Sequence, residues 1–208
     1  MKKITLALIA ITLISFTSCK DEKKETTKEV ETTEVKKETS YMLNPAETEV
    51  QWTAYKTTDK KPVSGVFKII NFDKKMGATP IEALNGLEFS IPVSSLFSKN
   101  VERDEKLITS FFGAMLNTEL LKGKIAMTEE SCEITITMND NMHVIPFKFD
   151  IKDNKVMFKG IMNLEDWDAL GALESLNKVC FDLHKGEDGV SKTWTDVEIV
   201  VKTTLMKH

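Results

Sequence analysis

The sequence predicts an all-β domain, an antiparallel barrel or sandwich, and three observations carry that reading. At least seven stretches alternate apolar and polar residues with period two. Each is short and bounded by turn-forming residues, and no strand-helix-strand rhythm separates them. Residues 41–208 are enough chain for one domain that buries roughly 70% of its unfolded surface.

The stretches follow in order. "TEVQWTAYK" sets Val50, Trp52 and Ala54 on one face against Glu49, Gln51 and Thr53, a half-buried strand. "KKPVSGVFKIINF" sets Phe67 and Ile69 opposite Val66 and Lys68, and Gly65 allows a bend or a close backbone approach. "NGLEFSIPVSSL" opens on an Asn-Gly turn signal and alternates Leu87, Phe89, Ile91 and Val93 against Glu88 and Ser90, while Pro92 marks an edge, a bulge or the strand's end. The period returns in "SCEITITM", in "VIPFKFDI" with Ile145, Phe147, Phe149 and Ile151, and in "KVMFKGIM" with Val156 and Phe158. "TWTDVEIVVKTTL" closes the domain with Trp194, Val197, Ile199 and Val201.

Two interruptions read as helical. In "NVERDEKLITSFFGAML", Leu107, Ile108, Phe111, Phe112, Met115 and Leu116 form one apolar stripe, and the charges gather at its start. "LEDWDALGALESLN" offers Trp167, Leu170, Leu173 and Leu176 for one face.

The N-terminus has a different character. Lys2 and Lys3 precede the apolar run "ITLALIAITLI" and the small-residue stretch "SFTSC", the layout of a cleaved export signal over residues 1–18. The run is shorter than the roughly 20 residues that span a bilayer. "FTSC" resembles the lipobox of bacterial lipoproteins, with Cys19 as the lipid attachment site and Phe16 where Leu is expected. Residues 20–40 hold six Lys, seven Asp or Glu and five Thr without Gly, Pro or an aromatic residue, a composition with nothing to bury. They read as a charged tether of about 25 Å reach. The expected location is a lipid anchor on the outer membrane, at its periplasmic or cell-surface face. With 28 basic against 32 acidic residues and no basic cluster, nucleic acid is excluded as a partner.

The order "VQWTAYK", "VSGVFKI", "IPVSSLFSKNVERDEKLITSFF" and "KTWTDVEIVVK" in an exported chain resembles the YceI-like family, the lipid-binding, lipocalin-like β-barrels of bacterial envelopes. The most specific positions are Ser95 and Leu96, Arg103 and Asp104, Leu107, and the pair Phe111 and Phe112. Ser110 stands where the family usually has an acid, and the Tyr-Pro that often follows is missing. The resemblance implies an antiparallel lipocalin-like β-barrel with a short amphipathic helix inserted after a strand and a second short helical segment. It also implies an elongated apolar cavity for an isoprenoid chain or a similar apolar long-chain lipid.

From the residues alone, the inward set Trp52, Phe67, Ile69, Phe89, Ile91, Phe147, Phe149 and Phe158 is either solid core or cavity wall. Leu107, Ile108, Phe111 and Phe112 would plug one barrel end and supply part of any wall. The alternative to a carrier is a filled barrel whose loops contact another envelope protein, and a homodimer is compatible with either. Arg103 is the candidate head-group contact at the mouth, against a purely structural role in which Arg103 and Asp104 tie the helix start to nearby loops. His143, His184 and His208 share no helix-face spacing, and no nucleophile elbow or glycine-rich oxyanion loop occurs. The expectation is a binding protein without a metal, a cofactor or a catalytic site. Cys132 and Cys180 are either buried thiols or a disulfide.

Overall fold

The computed structural model describes residues 39–208. The expected export signal, Cys19 and the tether up to residue 38 lie outside the described residues. Ser40, within the expected tether, and His208 exchange backbone hydrogen bonds of 3.2 and 2.9 Å.

Twelve strands and three α-helices follow. They are β1 (Tyr41–Leu43), β2 (Glu49–Lys56), β3 (Lys61–Phe67), β4 (Asn71–Phe72), β5 (Met76–Gly77), α1 (Pro80–Leu84), β6 (Glu88–Pro92), β7 (Leu96–Phe97) and α2 (Val101–Lys106). The chain continues through β8 (Leu120–Met127), β9 (Cys132–Met138), β10 (Asn141–Lys152), β11 (Lys155–Asn163), α3 (Leu170–Val179) and β12 (Asp196–Lys207). All pairings are antiparallel, in the order β4-β6-β8-β9-β10-β11-β12-β2-β3-β7, with β1 added between β12 and β5. The fold is therefore mostly β, a curled antiparallel sheet with few short helices, as the alternation predicts.

The two ends of the sheet meet in one piece of chain. Residues 88–92 pair with β8, and residues 96–97 pair with β3. Between them Pro92 cannot donate to a ladder, and Val93–Ser95 form a 3-10 turn. Ser95 Oγ donates to the Pro92 and Ile69 carbonyls, which ties this corner to the chain leaving β3. β10 bends as well, pairing with β9 through Phe147 and with β11 from Lys148 onward.

Antiparallel pairing sorts the connections between two ends. One end carries the 57–60 turn, the 98–119 segment, the 139–140 turn and the 164–195 segment. The other carries the 128–131 and 153–154 turns, the entry of the chain into β1, and α1. α1 was not foreseen, yet its signal stands in "ATPIEAL". Thr79 caps the helix by accepting from the Glu82 N–H at 3.2 Å, Pro80 opens it, and Glu82 reaches back to the Ala78 N–H at 2.9 Å. It drives Ala83 and Leu84 into full burial beside Leu87 and Leu205, which seals this end.

The second helical segment begins as a 3-10 turn over Leu164–Trp167 and continues as α3. Trp167 is completely buried, and its indole N–H donates to the Ile136 carbonyl at 3.0 Å, pinning the segment over β9. Leu173 and Leu176 are buried, but Leu170, expected on the same face, is exposed. The turn at Asp168, with φ of 53°, breaks the helical phase between Trp167 and Leu170. Cys132 and Cys180 are buried and free, not bridged.

Candidate functional site

The barrel is hollow. A cavity of about 160 Å³ runs along its interior, where a single water needs about 10–15 Å³ by the same kind of measure. Its length follows from β12, which supplies wall residues from Val197 to Thr203 with Thr193 and Trp194 just before it. From Val197 to Thr203 the strand takes six rises of about 3.3 Å each, roughly 20 Å. Thr193 and Thr203 are the polar side chains among an otherwise hydrophobic lining, apart from the tryptophan indoles. Water entering such a space finds few partners, so the cavity suits an elongated apolar occupant.

The rings stay out of the bore because three of them lie on glycines. Trp52 stands directly across from Gly65, and a Cβ added there would come within 2.7 Å of the indole Cε2. Phe89 stands across from Gly123 in the same way, and Phe147 covers Gly160, where an added Cβ would lie 2.8 Å from the ring. Of the bend and the close approach that the sequence allows at Gly65, the structure shows the close approach; Gly123 and Gly160 give no local signal that separates them from any strand glycine.

Of the expected wall residues, Trp52, Phe67, Phe89, Ile91, Phe147 and Phe158 line the cavity. Ile69 does not: β3 ends at Phe67, and Ile69 is 52% exposed while Ile70 turns inward. Phe149 packs against the core, away from the cavity lining. It lies in the half of β10 that pairs with β11 near the sealed end.

The inserted helix also departs from a simple stripe. α2 gives way to a π-helical turn over Leu107–Phe111 and a 3-10 turn over Phe112–Ala114. The wide turn lets Leu107, Phe111 and Phe112 all face the cavity, with the two phenyl rings 4.9 Å apart and edge to face. Ile108 packs against the neighbouring core group instead of lining the cavity, and Leu116 is exposed because the helix has ended before it. This segment packs on α3, which adds Leu173 and Leu176 to the wall. Both helical segments therefore cover the end opposite α1.

Asn100 caps α2 by accepting from the Arg103 N–H at 2.9 Å. Asp104 accepts from the Ser98 N–H at 2.9 Å and from the Ser98 hydroxyl, tying the helix to the loop before it. Arg103 lies half-buried in a second pocket, about 200 Å³, that shares Trp52, Ala54, Leu107, Leu176 and Thr193 with the apolar cavity. Sequence reasoning missed Lys56, Lys106 and His184, which line the same pocket. They come from three separate elements, so no spacing in the sequence connects them.

His184 Nδ1 lies 2.7 Å from Thr193 Oγ1 and 3.3 Å from Asn177 Oδ1. Burial, then the Lys56 and Lys106 cations, hold its pKa down from the ordinary 6.5 to about 4. Burial and then Glu133 raise the Cys132 thiol to about 11, which leaves it unreactive. No group of three or more metal-ligating side chains occurs among the described residues.

Comparison with known proteins came to the same architecture. The family model described as YceI-like domain matches residues 41–205. A polyisoprenoid-binding domain from Saccharophagus degradans superposes with a TM-score of 0.60 at 10% identity, covering 81% of this chain and 98% of that one. BcnA from Burkholderia cenocepacia superposes with a TM-score of 0.52 at 13% identity, covering 79% and 99%. No curated protein matches the chain in sequence.

The pH dependence of stability follows from His184. Its folded pKa is depressed, so the unfolded chain takes up a proton that the folded chain refuses between pH 6.5 and about 4. That part of the stability is complete above about pH 6.5 and is lost as pH falls. Urea unfolding should show a loss on the order of 1–2 kcal/mol between about pH 7 and pH 5 that His184→Asn removes. An unchanged loss in the variant would assign it to carboxylates instead.

Proposed function

This chain belongs to the YceI-like family, and we propose that it is a carrier or sequestering protein for an apolar, isoprenoid-like lipid held inside the barrel. The observation that carries this reading is the cavity: closed beneath α1, roofed by the π-helical turn and α3, and long enough for an extended chain. Native cores leave few voids larger than a water molecule, so a space of this size along the barrel implies an occupant. The polyisoprenoid-binding description of the Saccharophagus degradans neighbour supports the same ligand class. A filled barrel acting only through its loops finds no support in this interior. The chemistry is binding, with Trp52, Phe67, Phe89, Ile91, Phe147 and Phe158 as strand walls and Leu107, Phe111 and Phe112 as the cover.

The proposal extends to the cell envelope. The residues before the domain support export, lipidation at Cys19 and a charged tether, hence anchoring to a membrane. The described chain enters at the sealed end, where Ser40 pairs with His208.

Organic extraction and native mass spectrometry of the purified protein should yield an apolar amphiphile at near one per chain. Recovery of lipid-free protein that also fails to bind geranylgeraniol would overturn the carrier reading. Labelling of cells with a palmitate analogue should mark the wild type and leave Cys19→Ala unlabelled; equal labelling would remove the anchor.

A further inference from the structure

β10 and β11 part company while both are still extended. They pair from Lys152 opposite Lys155 to Lys148 opposite Lys159, and the pairing stops there. Each strand keeps its other neighbour: β10 stays on β9 back to Asn141, and β11 stays on β12 to Asn163. A seam therefore opens in the barrel wall between residues 141–147 and 160–163. Pro146 accounts for it, because the register would set Pro146 opposite Ile161 and a proline has no N–H to donate. The far end of the seam is closed by the Leu164–Trp167 turn, where the Asn139 and Asn141 side-chain amides donate to the Trp167 carbonyl at 2.9 and 3.3 Å.

The side chains along this seam break the pattern of the outer surface. Alternation turns Ile145, Phe147, Gly160 and Met162 inward, where they are buried, and the residues between them face outward. On β10 below the seam the outward residues are Lys148, Asp150 and Lys152. Beside the seam they are Met142 and Val144, with Ile161 on β11, and these are 68%, 55% and 64% exposed. Directly behind them Phe147 and Met162 line the apolar cavity. Exposed apolar side chains next to an unpaired strand edge mark a contact surface. The charges bordering it balance, with Glu133 and Glu198 beside Pro146 and Ile161, and Lys148 and Lys159 where the strands rejoin.

An apolar lipid does not pass freely through water, so it has to move between the cavity and a membrane by contact. Both barrel ends are covered, one by α1 and the other by the π-helical turn and α3. We propose that the β10–β11 seam is a lateral portal, and that Met142, Val144 and Ile161 set it against a lipid bilayer so that the chain slides past Phe147 and Met162 into the cavity. The seam widens without breaking a ladder hydrogen bond, since the pairing ends before it. The unpaired backbone groups keep the contact at head-group depth, because in hydrocarbon they would find no partner. The balanced border fits a zwitterionic surface better than a strongly anionic one. The inference rests on the carrier reading and adds the route by which its ligand enters.

The test closes the seam. Pro146→Cys and Ile161→Cys are introduced together into the Cys19→Ala chain, whose remaining thiols, Cys132 and Cys180, are buried. A short bis-maleimide joins the new pair, and the same variant capped with N-ethylmaleimide is the open control. Uptake of a fluorescent geranylgeraniol analogue from phosphatidylcholine vesicles is followed in time, with equilibrium occupancy measured by native mass spectrometry. Cross-linked protein should take up lipid at least roughly tenfold more slowly than the capped control, and lipid loaded before cross-linking should stay bound. A second arm needs no cross-link: Met142→Gln, Val144→Thr and Ile161→Gln together should weaken co-sedimentation with the vesicles and slow uptake, while equilibrium occupancy stays at the level of the Cys19→Ala parent. Equal uptake rates in cross-linked and capped protein, or in the triple variant and its parent, overturn the portal and leave entry past the roof with the carrier standing. Co-sedimentation that appears only with phosphatidylglycerol vesicles overturns the contact surface. Failure of the parent to take up or retain any lipid overturns the carrier reading and the portal with it.

Discussion

Everything about this barrel's interior depends on where its large aromatic rings are allowed to lie. A small barrel that points Trp52, Phe89 and Phe147 inward would ordinarily fill itself with them. Here each ring has a glycine across or beside it on the neighbouring strand, Gly65, Gly123 and Gly160, and settles into the space a side chain would have taken. The rings become part of the wall. A glycine inside a strand costs roughly 0.5–1 kcal/mol in lost conformational freedom, and burial of the ring against it offsets that cost. The net result is a protein that keeps its aromatic packing and an open bore together.

The two ends differ because the chain treats them differently. At the α1 end, short turns and a capped five-residue helix bring Leu84, Leu87 and Leu205 to full burial, and nothing polar faces the cavity beyond Thr203. At the other end, two long connections stand beside the 57–60 and 139–140 turns. One carries the π-helical turn that offers both phenylalanines to the cavity, and the other carries α3 and the His184 turn. Long connections are where irregular backbone and half-buried polar groups are tolerated, so the basic pocket sits there and not below. The cavity therefore has one end closed by apolar side chains and one end bordered by polar and basic ones.

Much of the wall was legible from period-two alternation, since Trp52, Phe67, Phe89, Ile91, Phe147 and Phe158 all fall where the pattern puts them. The errors share a cause. Ile69 continues the alternation on paper, but β3 has ended and the backbone N–H of Lys68 has turned to the Ser95 carbonyl, so the face changes at Ile70. Leu116 and Leu170 extend helical stripes past a helix end and a left-handed turn. Hollowness itself was not legible. It depends on the register that puts Gly123 opposite Phe89, a relation between residues far apart in the chain. The same holds for Lys56, Lys106 and His184, which meet only because the 57–60 turn, α2 and the segment after α3 share one end of the barrel.

The most direct test of the glycine–aromatic account is lipid occupancy, measured by native mass spectrometry on Gly65→Ala and Gly160→Ala, with Gly171→Ala as the control. A Cβ at Gly171, within α3, meets nothing within 4 Å, so that variant should hold lipid as the wild type does and be no less stable. At Gly65 and Gly160 the added methyl should push Trp52 or Phe147 into the bore, lowering stability by about 1–3 kcal/mol and displacing most of the bound lipid. Wild-type occupancy and stability in both variants would contradict the claim that these glycines keep the barrel open.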